Sequence, residues 1–468
     1  MPVKYHIHTK PAPPRVRPVG KMGIVEWRED CSSCHNCVKR DCVYGFYRDE
    51  ADTLHDEVGY LDYIYQCKGC LSCVQDCTKG ILTRVANPEY RRLGDDYFTP
   101  DIILTTWFQA DTGHIPVSGA GYGGRFSGSG FDSMWTDMSE IVRPTRDGIH
   151  GREYINTSVD IGRKSDHLVF ENGELVGEPA PLVEVPFPVI FDAIPERWHR
   201  GSVLAAVGRA AAQLGLLSVM RSDRIPPELS VERDRIVPWL ETEDAVSSDA
   251  YDAAAMVMLT DGPDVFGAQA ARKRRNPDQV VAIRVAASPD VADRVVELTR
   301  EGAEVVHLVA DSSGLEDAAS SPRHMRDILR DVHGALVKDG TRDQITVIGS
   351  GGIAVAEHMT KAVLCGADLV GIDIPLLVAL ECRFCGECER GEPCPIALSE
   401  VESGFAVQRI TNLMGAWHLQ LVEMLGAMGI REVRRLRGET GRCMFFEDLE
   451  RETFGELFGE RRKEAASA

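Results

Sequence analysis

From Pro186 onward the chain alternates short, nearly continuous apolar runs with amphipathic stretches, the pattern of a parallel sheet covered by helices. The runs FPVIFDAI (187–194), LLSVM (216–220), RIVPWL (235–240) and AAMVML (254–259) predict four strands. VVAIRVA (280–286), EVVHLVA (304–310), ITVIG (345–349) and ADLVGI (367–372) predict four more. Residues 202–214, 290–301 and 323–337 carry helical periodicity, and a further helix is predicted from about Val355. Eight strands, each followed by a helix or loop, predict an α/β fold, a (β/α)8 TIM barrel over 186–400 with somewhat short connections. A doubly wound open sheet is the alternative arrangement.

The rest of the chain divides by pattern into four parts. Residues 1–21 form an extension and 22–85 a cysteine-rich α+β segment; 86–185 are an irregular connection and 401–468 a helical tail. Within the connection, SGAGYGGRFSGSG (118–130) reads as a linker. A phosphate-cradling loop is the weaker reading, since no strand-then-helix context frames it.

Composition changes the picture in three ways. With 468 residues, 44% hydrophobic and 26% charged, the chain is of ordinary globular type. A net charge of −20 sets it against nucleic acid, and the basic run RKRR (272–275) is expected to be a solvated surface turn. No apolar stretch is long enough to span a bilayer, so no membrane insertion and a cytoplasmic location are expected.

Fourteen cysteines in such a chain point to metal rather than disulfides. Cys365 and Cys443 stand alone and are assigned to packing. The run CSSCHNCVKRDC holds Cys31, Cys34, Cys37 and Cys42; CKGCLSCVQDC holds Cys67, Cys70, Cys73 and Cys77. Three cysteines at this spacing wrap one cubane, and the fourth of each run ligates the other cluster. One 4Fe-4S cluster would take Cys31, Cys34, Cys37 and Cys77, the other Cys67, Cys70, Cys73 and Cys42. Two structural zinc sites are the competing reading, disfavoured by three cysteines in close succession. Residues 22–85 resemble two-cluster bacterial ferredoxin domains. Val43 and Thr78 stand where those domains usually place proline. His35, between ligands, reads as a solvent-facing loop residue.

In ITVIGSGGIAVAEHMTKAVLCGADLVGI the seventh strand ends at Gly349, Ser350, Gly351 and Gly352, and the eighth at Gly371 and Ile372. Glycines there let backbone N–H groups approach a phosphate, and the loops after strands seven and eight are the usual phosphate site of barrels. CRFCGECERGEPCP follows at once, with Cys382, Cys385, Cys388 and Cys394. A cluster beside a phosphate-anchored cofactor reads as electron delivery to a flavin. Asp311 and Asp373 lie at strand ends, where capping is the stronger reading and catalysis the weaker. His307 reads as a core histidine, and no catalytic acid or base is assigned.

These stretches, with LVEMLGAMGIREVRRLRGET and REYINTSVDIGRK, resemble the glutamate synthase family, specifically the FMN-binding barrel of its archaeal-type large subunit. The resemblance implies FMN, its phosphate at Ser350–Gly352 and at Gly371 and Ile372, and a third cluster on the barrel cysteines. The family's centre is a three-iron one; Cys382, Cys388 and Cys394 match its ligands, and Cys385 adds a fourth thiol. Both 4Fe-4S and 3Fe-4S therefore stand. Departures occur where the family holds its keto acid: MRSDRIPPELS (220–230), DSSGLEDA (311–318), and Arg284 in place of a lysine. The expected function is an iron–sulfur flavoprotein oxidoreductase. Electrons would pass between the ferredoxin-like clusters and FMN, with redox proteins as partners in a larger complex. A ferredoxin- or NADPH-linked glutamate synthase using 2-oxoglutarate and ammonia from a partner is the alternative. A cluster scaffold that has lost its flavin is the third.

Overall fold

All eight apolar runs become strands of one closed parallel barrel in the computed structural model. The described residues are 5–16, 19–26, 70–80, 83–115, 128–136, 155–165, 169–176, 180–198, 202–318 and 320–458. The barrel strands are β1 (Val189–Phe191), β2 (Ser218–Arg221), β3 (Ile236–Leu240), β4 (Met256–Thr260), β5 (Val280–Ala286), β6 (Val305–Val309), β7 (Thr346–Ser350) and β8 (Leu369–Ile372). Each pairs in parallel with its neighbour, and β8 closes on β1 in the register Val370↔Val189. The runs are apolar on both faces because one face fills the barrel and the other lies under helices.

The helices are α1 (Pro100–Thr112), α2 (Val203–Leu214), α3 (Val265–Arg275), α4 (Val291–Glu301), α5 (Met325–Asp339), α6 (Ala356–Leu364), α7 (Ile374–Ala379), α8 (Ser403–Ala427) and α9 (Phe446–Phe458). The connections after β2 and β3 contain only 3-10 turns and a five-residue helix at Glu243–Ser247, the shortness expected from sequence. Among the described residues no helix is long and apolar enough to cross a membrane.

Two expectations need correction. Residues 86–185 contain α1, a 13-residue helix with Pro100 in its first turn and Gly113 at φ 72 closing it. Its buried stripe of Ile102, Ile103, Thr106, Trp107 and Ala110 packs on α7 and α8. The RKRR run is the last turn of α3, and Arg272 is fully buried. Arg272 donates to Gln279 Oε1, to the carbonyls of Val246 and Ser248, and to Asp252 Oδ1, tying the β3–β4 connection down.

The N-terminal residues lie across the same helices. Ala12 donates its N–H to the Asp111 carbonyl at 2.8 Å, and buried Arg409 of α8 donates to the Ala12 carbonyl at 2.9 Å. An antiparallel pair, Met22–Glu26 with Thr83–Ala86, brackets the first two cysteine runs in sequence. Cys31, Cys34, Cys37, Cys42, Cys67 and His35 lie outside the described residues, as does most of the glycine–serine linker.

Candidate functional site

The barrel's C-terminal mouth carries charge that its apolar strands cannot solvate. Asp192 follows β1 and Arg284 lies on β5, on opposite sides of the eight-stranded ring. They pair through Nη1–Oδ1 at 2.6 Å and Nη2–Oδ2 at 3.1 Å, with the side chains only 5% and 13% exposed. The guanidinium also sits 4.8 Å from the Trp239 ring centroid. Burial alone would raise the Asp192 carboxyl, but the charge of Arg284 beside it and its hydrogen bonds hold it well below the usual range. Burial pushes His307 down to about 3, so its ring is neutral at neutral pH.

The tautomer follows from partners. Arg284 Nη1 lies 3.3 Å from His307 Nδ1 and can only donate, so Nδ1 accepts and the proton sits on Nε2. Nε2 then donates to Ser350 Oγ at 2.5 Å, leaving the hydroxyl proton of Ser350 for another acceptor. Gly371 makes room for that hydroxyl, since a Cβ there would lie 2.0 Å from Ser350 Oγ. Asp373 caps α7, its carboxylate accepting from Ile374 N at 2.6 Å. Burial, with the Asp192 charge adding, raises its carboxyl to about 6. Asp311 instead organises its own loop, accepting from the N–H groups of Ser313 and Leu315.

The turn after β7 is held from outside the barrel. Gly351 and Gly352 take φ values of 103 and 72. A Cβ on Gly351 would lie 2.5 Å from the Asp311 carbonyl, and one on Gly352 would lie 2.9 Å from Gly314 Cα. Gly352 N donates to the Ser312 carbonyl and Ala354 N to His358 Nδ1. Tyr97 Oη donates to the Gly352 carbonyl at 2.6 Å. The N–H groups of Gly351 and Ile353 take no part in these bonds, and α6 opens at Ala356 behind them. With the Ser350 hydroxyl, this donor set fits one phosphate. Ile372 is buried in β8 as packing.

The barrel cysteines come together just beyond α7. Cys382, Cys385, Cys388 and Cys394 line one cavity of about 330 Å³, with Arg383, Trp198 and Ser312 also in its wall. Among the described residues no three His, Cys, Asp or Glu are gathered tightly enough for a single metal ion. Four thiols around one cavity could hold a cluster, whose corner irons spread their thiolates wider than a single ion does. Burial pushes the Cys382 thiol up to about 12, the Phe384 N–H opposing and the three neighbouring thiols adding. Ser312 links the two sites, since its carbonyl accepts from Gly352 N at 3.3 Å. Of the N-terminal cysteines, Cys70 donates to Ser72 Oγ at 3.5 Å and Cys77 is half-buried. Cys365 is fully buried beside Met134, as packing requires.

Sequence reasoning missed Asp192, Trp239, Tyr97 and Arg383. For Asp192 there was a signal, an aspartate directly after a buried strand. For the others the relevant neighbours come from distant segments.

Fold and site together define a (β/α)8-barrel protein with a thiol-lined cavity beside the glycine turn that follows its seventh strand. The chain is similar to the glutamate synthase family over residues 276–431, which match the conserved region in glutamate synthase. The archaeal-type glutamate synthase (NADPH) of Dehalococcoides mccartyi is 26% identical, over 89% of this chain and 93% of that protein. The archaeal glutamate synthase (NADPH) of Archaeoglobus fulgidus is 24% identical, over 92% and 96%. Among solved structures, a mandelate oxidase mutant bearing an FMN adduct overlaps 74% of this chain and 91% of that one, at 14% identity and a TM-score of 0.43.

Proposed function

We propose that the chain is an FMN-dependent iron–sulfur oxidoreductase that passes electrons between two N-terminal 4Fe-4S clusters, a third cluster on the barrel cysteines, and FMN. It would do so as a cytoplasmic subunit of a larger redox complex. The observation that carries this reading is the four-thiol cavity one hydrogen bond away, through Ser312, from the turn that would hold the flavin phosphate. FMN, when bound, supplies exchange between one-electron and two-electron chemistry. The protein's own residues supply the phosphate donors, Ser350 and the N–H groups of Gly351 and Ile353, and a desolvated wall at the mouth. Arg284, the cation at the family's lysine position, is already neutralised by Asp192, which leaves less positive charge for a dicarboxylate.

The second reading, glutamate synthesis from 2-oxoglutarate and ammonia supplied by a partner, is favoured by relatives of that name aligning along nearly their whole length. One experiment separates the two. Anaerobically purified protein is assayed for iron, sulfide and flavin, reduced, and mixed with 2-oxoglutarate and ammonia. About twelve irons and one FMN per chain with no reoxidation supports electron transfer alone. Rapid reoxidation establishes the second reading, and absence of flavin removes both.

A further inference from the structure

We propose that the barrel cysteines hold a four-iron cluster with Cys385 as its fourth ligand, an assignment that rests on the cluster reading above. A three-iron centre needs only Cys382, Cys388 and Cys394, and would leave Cys385 a bystander. The fold does not treat it as one: Cys385 lines the same cavity as the other three.

The backbone is bent to achieve this. Glu381 at φ 75, Phe384 at φ 47 and Gly386 at φ 67 are left-handed, a conformation that strains the two non-glycine residues. Cysteines 382, 385 and 388 thus repeat the three-residue interval of both N-terminal runs on a loop turned to place every thiol inward. Glu381 is pinned from outside, its carboxylate accepting from Arg15 N at 2.6 Å and Arg15 Nε at 3.0 Å.

The cavity wall also asks for an acceptor. Arg383 lines it, and its Nε is buried with no hydrogen-bond partner. A buried N–H without an acceptor is destabilising, because it has lost its water and gained nothing in return. Cluster sulfides or cysteine thiolates are the acceptors this cavity would offer, and the positive charge offsets part of four thiolates. Phe98 and Trp198 pack as tilted rings on Phe384 of the loop, with centroids 5.1 and 5.8 Å away.

The test is electron paramagnetic resonance with iron counting on full-length protein. An oxidised four-iron cluster with four cysteines is silent, whereas a three-iron core is paramagnetic. Wild-type protein should be silent, and Cys385→Ala should lose about one iron and gain roughly one spin per chain of three-iron signal. A wild-type protein already showing that signal, unchanged in Cys385→Ala, overturns the assignment. Where the alanine variant fails to fold, Cys385→Ser is read instead. A three-iron signal or an altered reduced-state spectrum supports the proposal, and a spectrum identical to wild type overturns it. Cys382→Ala isolates the underlying reading. An unchanged iron count there means no cluster at this site, while loss of about three or four irons beside an unaltered Cys385→Ala removes only the role of Cys385.

Discussion

Asp192 and Arg284 meet inside a barrel whose walls are valine, isoleucine and leucine, so each is the other's main substitute for water. Such a pair contributes little relative to an apolar replacement, but breaking it strands a charge. Asp192→Asn should therefore destabilise the fold by about 3–5 kcal/mol, and Arg284→Met added to it should recover much of that loss in urea unfolding. Acid behaviour separates two neighbours. Asp373, raised from 3.8 to about 6, binds its proton more tightly when folded. Its contribution is full below about pH 4 and is lost as pH rises through 6. His307, lowered from 6.5 to about 3, contributes fully above pH 6.5 and loses that as pH falls toward 3. The two slopes oppose one another between about pH 4 and 6. Asp373→Asn keeps an oxygen for the Ile374 cap and removes the first slope. Its stability should fall more steeply than wild type on acidification across that window, measured by urea midpoints at each pH.

At the level of elements, the segment before α1 works as a brace. Gly94 N donates to the Arg383 carbonyl beside the four-thiol cavity, and three residues on Tyr97 holds Gly352 of the turn after β7. Tyr97→Phe should cost about 1 kcal/mol and speed loss of FMN on dialysis, with the cluster iron retained. Gly352→Ala should cost more, about 1–3 kcal/mol, because its φ of 72 and its contact with Gly314 both forbid a side chain. An unchanged flavin off-rate in both variants would detach the brace from cofactor retention. The brace was illegible in the sequence because its partners lie hundreds of residues apart. The barrel was legible because each strand is buried on both faces and reads as an apolar run; β5 falls at the expected 280–286. Helix α1 was overlooked although Pro100 and Gly113 marked its ends, because TTWF inside it has strand-like composition. Arg272 was misread from charge density, since the carbonyls that bury it come from the β3–β4 connection. The four-thiol cavity was legible from spacing alone, but its walls at Trp198 and Ser312 were not.

For the whole molecule the governing quantity is a net charge of −20, which the proposed clusters with their thiolates would make more negative. Electron transfer between proteins begins with a diffusional encounter, and the field of an acidic protein selects a partner with a basic face. Salt screens that attraction with a Debye length of about 10 Å at 0.1 M, so the encounter rate depends on ionic strength in a direction set by the partner's sign. Reduced protein mixed with a basic cytochrome should transfer electrons quickly at low salt and about ten-fold or more slowly at high salt. An acidic ferredoxin should react slowly at first and faster as salt is added. Stopped-flow traces of both acceptors across a salt series decide the matter. The opposite pair of slopes would mean that electrons leave through a local basic patch that outweighs the molecule's overall field. Equal, salt-independent rates would place the exit away from any charged surface, with orientation rather than attraction limiting the exchange.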